Sequence, residues 1–485
     1  MTGVTAFGLA VLLASLVVIA AVLAGRASER LRIPAPAFFL IAAATASDIW
    51  PPLGRLPFGT MEQAVTVALA VILFDGGMRI GWRRFRATAG ATAWIGVAGT
   101  LVTAAAAAAA AHFLFSFGWR AALLIGTAIA PTDPAVVFSV LGRREIAGRS
   151  GLLLEGESGA NDPVGIALLV ALLAAAGTGA GAVGQVTVVF LLQMAVGIVI
   201  GAAGGRLLLA FMRRVPLPSE GLYPLRVLAG AMAIYGLATV AHGSGFLAVF
   251  IAGILIGDEH APYKGEIAHF HSALASLAEI VAFVLLGLTI RLAALPQGNA
   301  WLIGLALAAL LAFVIRPAGV GVLLWPVRLR RRERVFVLWG GLKGAVPIVL
   351  GAFIVQAGTP GAPRIYEIIF VVVTFSVIVQ GGTVPALARR LKIPLRTVEP
   401  EPWSLGVRFR EEPGNVHRFV VAAGAAAAGT AVGELALPED AWISFILRGG
   451  QLVPAQAGTV VQPGDEVIVL AEAADEAGLR ELFST

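Results

Sequence analysis

Ala130-Pro131-Thr132-Asp133-Pro134 lies midway along an apolar run that covers residues 119–141. Two prolines three residues apart remove backbone donors and disrupt a continuous helix. A second interruption, Gly340-Gly341-Leu342-Lys343-Gly344-Ala345-Val346-Pro347, falls inside the run 335–356 and carries a cation. Freed carbonyls and opposed half-helix ends within a bilayer make ion sites, and paired interruptions at corresponding positions point to one at the midplane.

The rest of the chain supports a membrane setting. It has 485 residues, is 58% hydrophobic and only 13% charged, and its mean hydropathy is +0.88. A soluble protein of this size cannot hide so much apolar surface. The absence of Cys excludes disulfides, thiolate metal sites and cysteine nucleophiles. About thirteen runs are long enough to cross ~30 Å of hydrocarbon. They lie near residues 5–25, 34–50, 61–79, 88–113, 119–141, 151–176, 184–212, 222–241, 244–257, 270–290, 299–325, 335–356 and 364–388. The first is too long for a signal-peptide core and reads as a span. His242-Gly243-Ser244-Gly245 separates the eighth from the ninth, which reads as a tilted or partial helix.

Arginine clusters follow spans 1, 3, 5, 7, 11 and 13, among them Arg83-Arg84, Arg143-Arg144, Arg213-Arg214 and Arg330-Arg331-Arg332. The positive-inside rule then puts the N-terminus outside and the C-terminal tail in the cytoplasm of a bacterial inner-membrane protein. The charge is uneven: 6 basic and 13 acidic residues from Arg396 onward, against 29 basic and 16 acidic before it. The basic clusters alternate with spans, so they report topology, and no nucleic-acid partner is expected.

Ionisable groups inside spans are costly and usually functional. Those here are Asp75, Asp133, Glu155, Glu157, Asp162, Glu279, Arg316 and Lys343. Spans 5 and 12 are seven apart, which suits two inverted six-span repeats, 1–6 and 8–13, around a linker span 7. Span 6 opens with Glu155-Gly156-Glu157-Ser158-Gly159-Ala160-Asn161-Asp162-Pro163. Ser158 and Asp162 are four apart and share a helix face. With Thr132 and Asp133 from the broken span they form an all-oxygen site, which hard alkali cations prefer. A carboxylate shielded from water is stabilised by neutralisation, by a proton or by a cation, so the two compete for Asp162. That competition is an antiport cycle: the site crosses loaded with one ion or the other. Glu279 and Arg316 read as structural, with a mutual pair plausible. His269 and His271, two apart, fall on different helix faces, so no metal site or cofactor is expected there.

These motifs resemble those of NhaP-type bacterial cation:proton antiporters, the electroneutral branch of the monovalent cation:proton antiporter superfamily. The resemblance spans the whole membrane region. It rests on Phe74-Asp75-Gly76-Gly77, Thr132-Asp133-Pro134, Glu157-Ser158 with Asn161-Asp162, and Gly341-Leu342-Lys343-Gly344-Ala345. It implies that Asp162 binds ion or proton, with Asp133, Ser158 and the Thr132 carbonyl as further ligands. It also implies that Asn161 orients the crossing and that Glu157 pairs with the basic residue of the span-12 motif. That residue is usually Arg in the family and is Lys343 here; Asp75 stands where the family often has Glu. Asn161-Asp162 in place of two adjacent carboxylates implies one proton per monovalent cation, hence electroneutral exchange.

After a Pro-, Glu- and Arg-rich linker over 394–413, the patterns shorten. Val416–Val421, Ile443–Leu447, Gln451–Val453 and Glu466–Leu470 read as strands, and Glu472–Phe483 as an amphipathic helix. This small α+β domain, 414–485, is similar to the TrkA-C domain of potassium-conductance regulators. The similarity rests on Val432-Gly433-Glu434-Leu435, Ile446-Leu447-Arg448-Gly449-Gly450 and Val461-Gln462-Pro463-Gly464-Asp465. It implies a homodimer and a small-molecule effector, and favours K⁺ over Na⁺ as the exchanged cation. The expected architecture is thus an all-α polytopic domain over 1–393 with broken crossing helices, followed by a cytoplasmic regulatory domain. The rivals are a Na⁺-selective antiporter, a gated cation channel with a regulatory tail and an organic-anion symporter. Nothing in the chain points to an enzyme.

Overall fold

Chain surrounded by lipid must satisfy its own backbone polar groups, and an α-helix does so within one segment. The computed structural model of the protein follows this rule along the chain. It describes residues 34–397 and 416–484, apart from 51–52, 54–56, 134–136, 138–140, 142–143, 147, 176, 178, 260, 328, 439–440, 450 and 473–474, with scattered positions between 5 and 23. The described residues of the first expected span are helical; the other residues of that span, Pro134 and most of the linker lie outside the described residues.

The first half comprises α1 (Ala35–Ile49), α2 (Phe58–Ala93), α3 (Thr100–Phe115), α4 (Trp119–Ala128), the short strand β1 (Arg144–Ile146) and α5 (Arg149–Ala174). Then come α6 (Ala180–Arg214), α7 (Leu222–Val240), α8 (Gly245–Gly257), α9 (Lys264–Leu288), α10 (Ala300–Leu310) and α11 (Arg316–Leu323). The membrane region closes with α12 (Arg331–Trp339), α13 (Ala345–Gln356), α14 (Ala362–Phe375), α15 (Gly382–Arg390) and β2 (Leu395–Thr397). Single π-helical turns join α2 to α3 (Trp94–Gly99), α10 to α11 (Leu311–Ile315) and α14 to α15 (Ser376–Gly381). Among the described residues eight helical runs are long and apolar enough to cross a membrane, and α1, α8 and α13 are shorter apolar helices. Among the described residues these elements fall on expected spans 2 to 13; span 12 is in two pieces, and span 5 leaves the helix after Ala128, with Val137 and Leu141 helical further on.

The short ninth span, α8, starts at an N-cap where Ser244 Oγ accepts from the Leu247 amide at 3.3 Å. It packs against α2 and α6. Small residues allow the approach: a Cβ on Gly253 would collide with the Phe74 carbonyl of α2. The exit of α8 lacks arginine but lies beside the basic exits of spans 3 and 7. The Asp258 carboxylate accepts from the Arg83 amide, and Arg213 pairs with Glu259 at 2.5 Å. Three odd-numbered exits therefore share one side of the molecule.

The chain divides into two compact units, Met1–Ser404 and Leu405–Thr485. Within the first, Leu395–Thr397, which the sequence assigns to a linker, pairs antiparallel with Arg144–Ile146. The second unit holds β3 (Val416–Val420), β4 (Trp442–Arg448), β5 (Gln451–Val453), β6 (Glu466–Leu470) and α16 (Glu476–Ser484). Its antiparallel sheet has the order β3-β6-β4-β5. Val467 and Val469 alternate inward on β6 and meet Phe419, Ile443, Ile446, Leu479 and Phe483 in one core.

Candidate cation site at the crossing of two broken helices

Helix α4 stops at Ala128 and residues 131–133 run non-helically. Helix α12 stops at Trp339, and the chain is irregular until α13 resumes at Ala345. The two breaks touch through their backbones, where the Asp133 amide donates to the Leu342 carbonyl at 2.7 Å. Gly344 is essential to this approach, because a Cβ there would overlap the Asp133 carboxylate.

A helix that ends inside a membrane leaves carbonyls without partners, and a cation is the natural cap for that negative end. Lys343 Nζ donates to the carbonyls of Ala130 at 2.7 Å and Pro131 at 3.0 Å, just beyond the end of α4. Its own amide donates to Ser376 Oγ at 2.9 Å, and Ser376 Oγ donates to Gln380 Oε1 at 2.8 Å. Arg316 does the corresponding work at α12: Nε donates to the Leu338 carbonyl at 2.9 Å and Nη2 to Val337 at 3.4 Å.

Two expected pairings are corrected by this arrangement. Glu157 pairs with Arg316, whose Nη2 donates to Oε1 at 2.8 Å and Oε2 at 3.1 Å, and not with Lys343. Arg316 accordingly makes no pair with Glu279. The reason is shape. A guanidinium carries five donors and can serve a carboxylate and two carbonyls together, whereas an ammonium is a compact charge suited to a close fan of carbonyls. Gly341 leaves room for the guanidinium, which a Cβ there would strike.

Helix α5 brings Asn161 and Asp162 to the crossing, and Ser158 lies one turn earlier on the same helix; all three are buried. Asn161 Nδ2 donates to Thr132 Oγ1 at 2.7 Å, tying α5 to the broken span. Among the described residues, Asp162 Oδ1 and Asn161 Oδ1 are shielded from solvent and have no hydrogen-bond partner. Asp162 stands within electrostatic reach of Asp133 and Lys343. A buried oxygen of this kind is strongly destabilised unless a proton or cation meets it. The donor set is oxygen only, which fits an alkali cation as substrate.

Asp75 is placed differently. Its Oδ2 accepts from Arg79 Nε at 2.7 Å one helical turn on, and Arg79 Nη2 donates to Ser272 Oγ at 2.9 Å. Glu279 is half-buried, in electrostatic reach of Asp133 and Arg79. Sequence reasoning missed Ser376 and Gln380; two polar groups four apart in the apolar run 364–388 were the available signal. It also missed Arg226, which is buried and donates to the carbonyls of Phe211, Met212 and Val215 at the end of α6.

Comparison with known proteins places the chain in a family. The family model for the transmembrane sodium/hydrogen exchanger matches residues 12–390, and that for the TrkA-C domain matches residues 416–484. The chain is 31% identical to the K(+)/H(+) antiporter NhaP of Alkalimonas amylolytica over 477 residues, covering 97% of this chain and 82% of that protein. It is 32% identical to the K(+)/H(+) antiporter NhaP2 of Shewanella oneidensis over 483 residues, covering 98% of this chain and 83% of the other. The fold is that of the sodium proton antiporter MjNhaP1 from Methanocaldococcus jannaschii, with a TM-score of 0.67 at 23% identity, covering 81% of this chain and 98% of that one. The crossing of broken helices, the carboxylate set on α5 and a family match across the membrane region together make this chain a member of the sodium/hydrogen exchanger family.

Proposed function

We propose that the protein is a secondary antiporter that exchanges a monovalent cation, K⁺ in preference to Na⁺, for a proton at Asp162. The observation that carries this reading is the shielded, unpartnered Asp162 Oδ1 at the contact of the two broken spans. The preference for K⁺ rests on the names of the relatives over the full chain and on the C-terminal domain type.

Asp162 is the carrier carboxylate, with Asp133, Ser158 and the Thr132 carbonyl completing an oxygen shell around the cation. Asn161 holds Thr132 in place. Lys343 and Arg316 neutralise the two helix ends, so the breaks persist whether the cation is bound or gone. One proton traded for one monovalent cation moves no net charge. The membrane potential, worth ~2.3 kcal/mol per charge per 100 mV, then does not drive the cycle, and ΔpH supplies ~1.4 kcal/mol per unit. The chain resides in a bacterial inner membrane as a homodimer with its tail in the cytoplasm, where the TrkA-C domain binds a small effector.

The test is pH-quench flux in everted vesicles with K⁺, Na⁺, Li⁺ and Rb⁺, comparing wild type with Asp162→Asn. The wild type responds to K⁺ most strongly, and the variant shows no cation-dependent proton flux. Normal exchange by the Asn variant refutes the carrier role. Currents on solid-supported membranes at symmetric ion concentrations refute electroneutrality.

A further inference from the structure

A groove of about 470 Å³ opens between the π turn Leu311–Ile315, α11, α12 and α15. Its walls are apolar, with Phe313, Pro317, Val335, Leu338 and Leu387 among them, and Arg390, the last residue of α15, joins the lining. Phe313 is 61% exposed and Val335 50% exposed. Phe313 lies inside an apolar spanning run, so its exposure is to hydrocarbon, and an open apolar groove there takes up acyl chain.

The groove is basic where α15 ends. Arg389 and Arg390 close α15. Arg331 lies four residues before Val335 and so on the same face of α12. Among the described residues no carboxylate pairs with Arg331, Arg389 or Arg390. Glu333, the acidic residue of α12, is turned to the Arg330 amide at 2.8 Å. An apolar trough that ends in uncompensated arginines at the edge of a span complements one molecule class in the bilayer, a lipid with an anionic headgroup.

We propose that this groove is a binding site for an anionic phospholipid, with an acyl chain along Phe313, Val335 and Leu387 and the phosphate at Arg390 and Arg331. The site also reaches the transport machinery. The Leu338 side chain lines the groove while its carbonyl accepts from Arg316 Nε at 2.9 Å, the same guanidinium that holds Glu157. A lipid seated there braces the half-helix on which that link depends, and exchange runs faster when the groove is filled.

Native mass spectrometry of the full chain, released from mixed micelles of phosphatidylglycerol and phosphatidylcholine with matched chains, tests the site. Proteoliposomes of the same two lipids report the exchange rate. Wild type retains phosphatidylglycerol in preference to phosphatidylcholine. Arg390→Gln reduces that preference about fivefold, the loss of one basic residue near an anionic headgroup, and Arg390→Lys keeps it. Ala386→Trp adds bulk to the groove from an exposed position and lowers retention of both lipids. Excess inorganic phosphate leaves retention unchanged. Equal retention of the two lipids by wild type, wild-type retention by both Arg390→Gln and Ala386→Trp, or displacement by free phosphate overturns the proposal. Retention is read as mass, so it stands or falls apart from the carrier role of Asp162, which is read in flux.

Discussion

At the scale of the residue, the site depends on which cation sits against which end of a broken helix. Arg316 and Glu157 are 4% and 3% exposed, and the pair is made inside the protein. Removing one partner from such a pair leaves a buried charge, at a cost of about 3–5 kcal/mol. Glu157→Gln should therefore lower the thermal midpoint in detergent markedly, while the double change Glu157→Leu with Arg316→Met costs less than the sum of the singles. A double-mutant cycle on thermal unfolding reads the coupling, and additive losses would show that the two side chains are independent. Lys343 has a different task. Its two carbonyl bonds are charge-assisted, each worth roughly 1.5–3 kcal/mol. Lys343→Met should cut the exchange rate at least tenfold in the vesicle assay with the chain still inserted, because the carbonyls of Ala130 and Pro131 lose their cap.

At the scale of the element, the apolar runs are legible because lipid demands unbroken hydrophobicity and helix demands length. The two breaks are legible for the converse reason, since proline and clustered glycine inside such runs have few other uses. The π turns are not legible. Two of them adjoin site residues: Leu311–Ile315 ends where Arg316 begins, and Ser376–Gly381 carries Ser376 and Gln380. An extra residue in a turn re-aims the side chains that follow, and such bulges gather at functional sites. The crossing itself is an element-scale contact that one methyl group would block. Gly344→Ala should abolish exchange while Gly118→Ala, which meets nothing within 4 Å, leaves it intact. Flux from vesicles matched for protein content distinguishes the two, and normal transport by Gly344→Ala would mean that the breaks do not need this proximity.

At the scale of the whole molecule, the C-terminal unit has its own electrostatic lock. Arg448 Nε and Nη2 donate to the two oxygens of Asp465 at 2.9 and 2.8 Å, and the Gln462 amide donates to Oδ2 at 2.8 Å. Burial works to raise the Asp465 carboxyl, but the bonds from Arg448 and Gln462 outweigh it and hold the group below its ordinary value of 3.8. The unfolded chain therefore takes up this proton at a higher pH than the folded one. The contribution to stability is complete above 3.8 and disappears as pH falls through the folded value. Thermal melts of a fragment spanning 405–485 should show Asp465→Asn less stable than wild type at neutral pH. The gap should narrow only below the ordinary carboxylate range; a gap that is flat with pH would show that Asp465 is not held in this way. The sequence by itself determined the membrane class, the run of spans, the two interruptions, the carboxylates on span 6 and the α+β tail. Each of these is written in local pattern: hydropathy, proline and glycine placement, and residue spacing along one helix. Only the tertiary structure decided that Arg316 and not Lys343 holds Glu157, that Lys343 caps α4, that Ser376 steadies Lys343, and that the exit of the ninth span joins those of the third and seventh. Those partners are separated by as many as 213 residues, and charge pairing between distant segments is set by the shape and reach of side chains once the helices have packed.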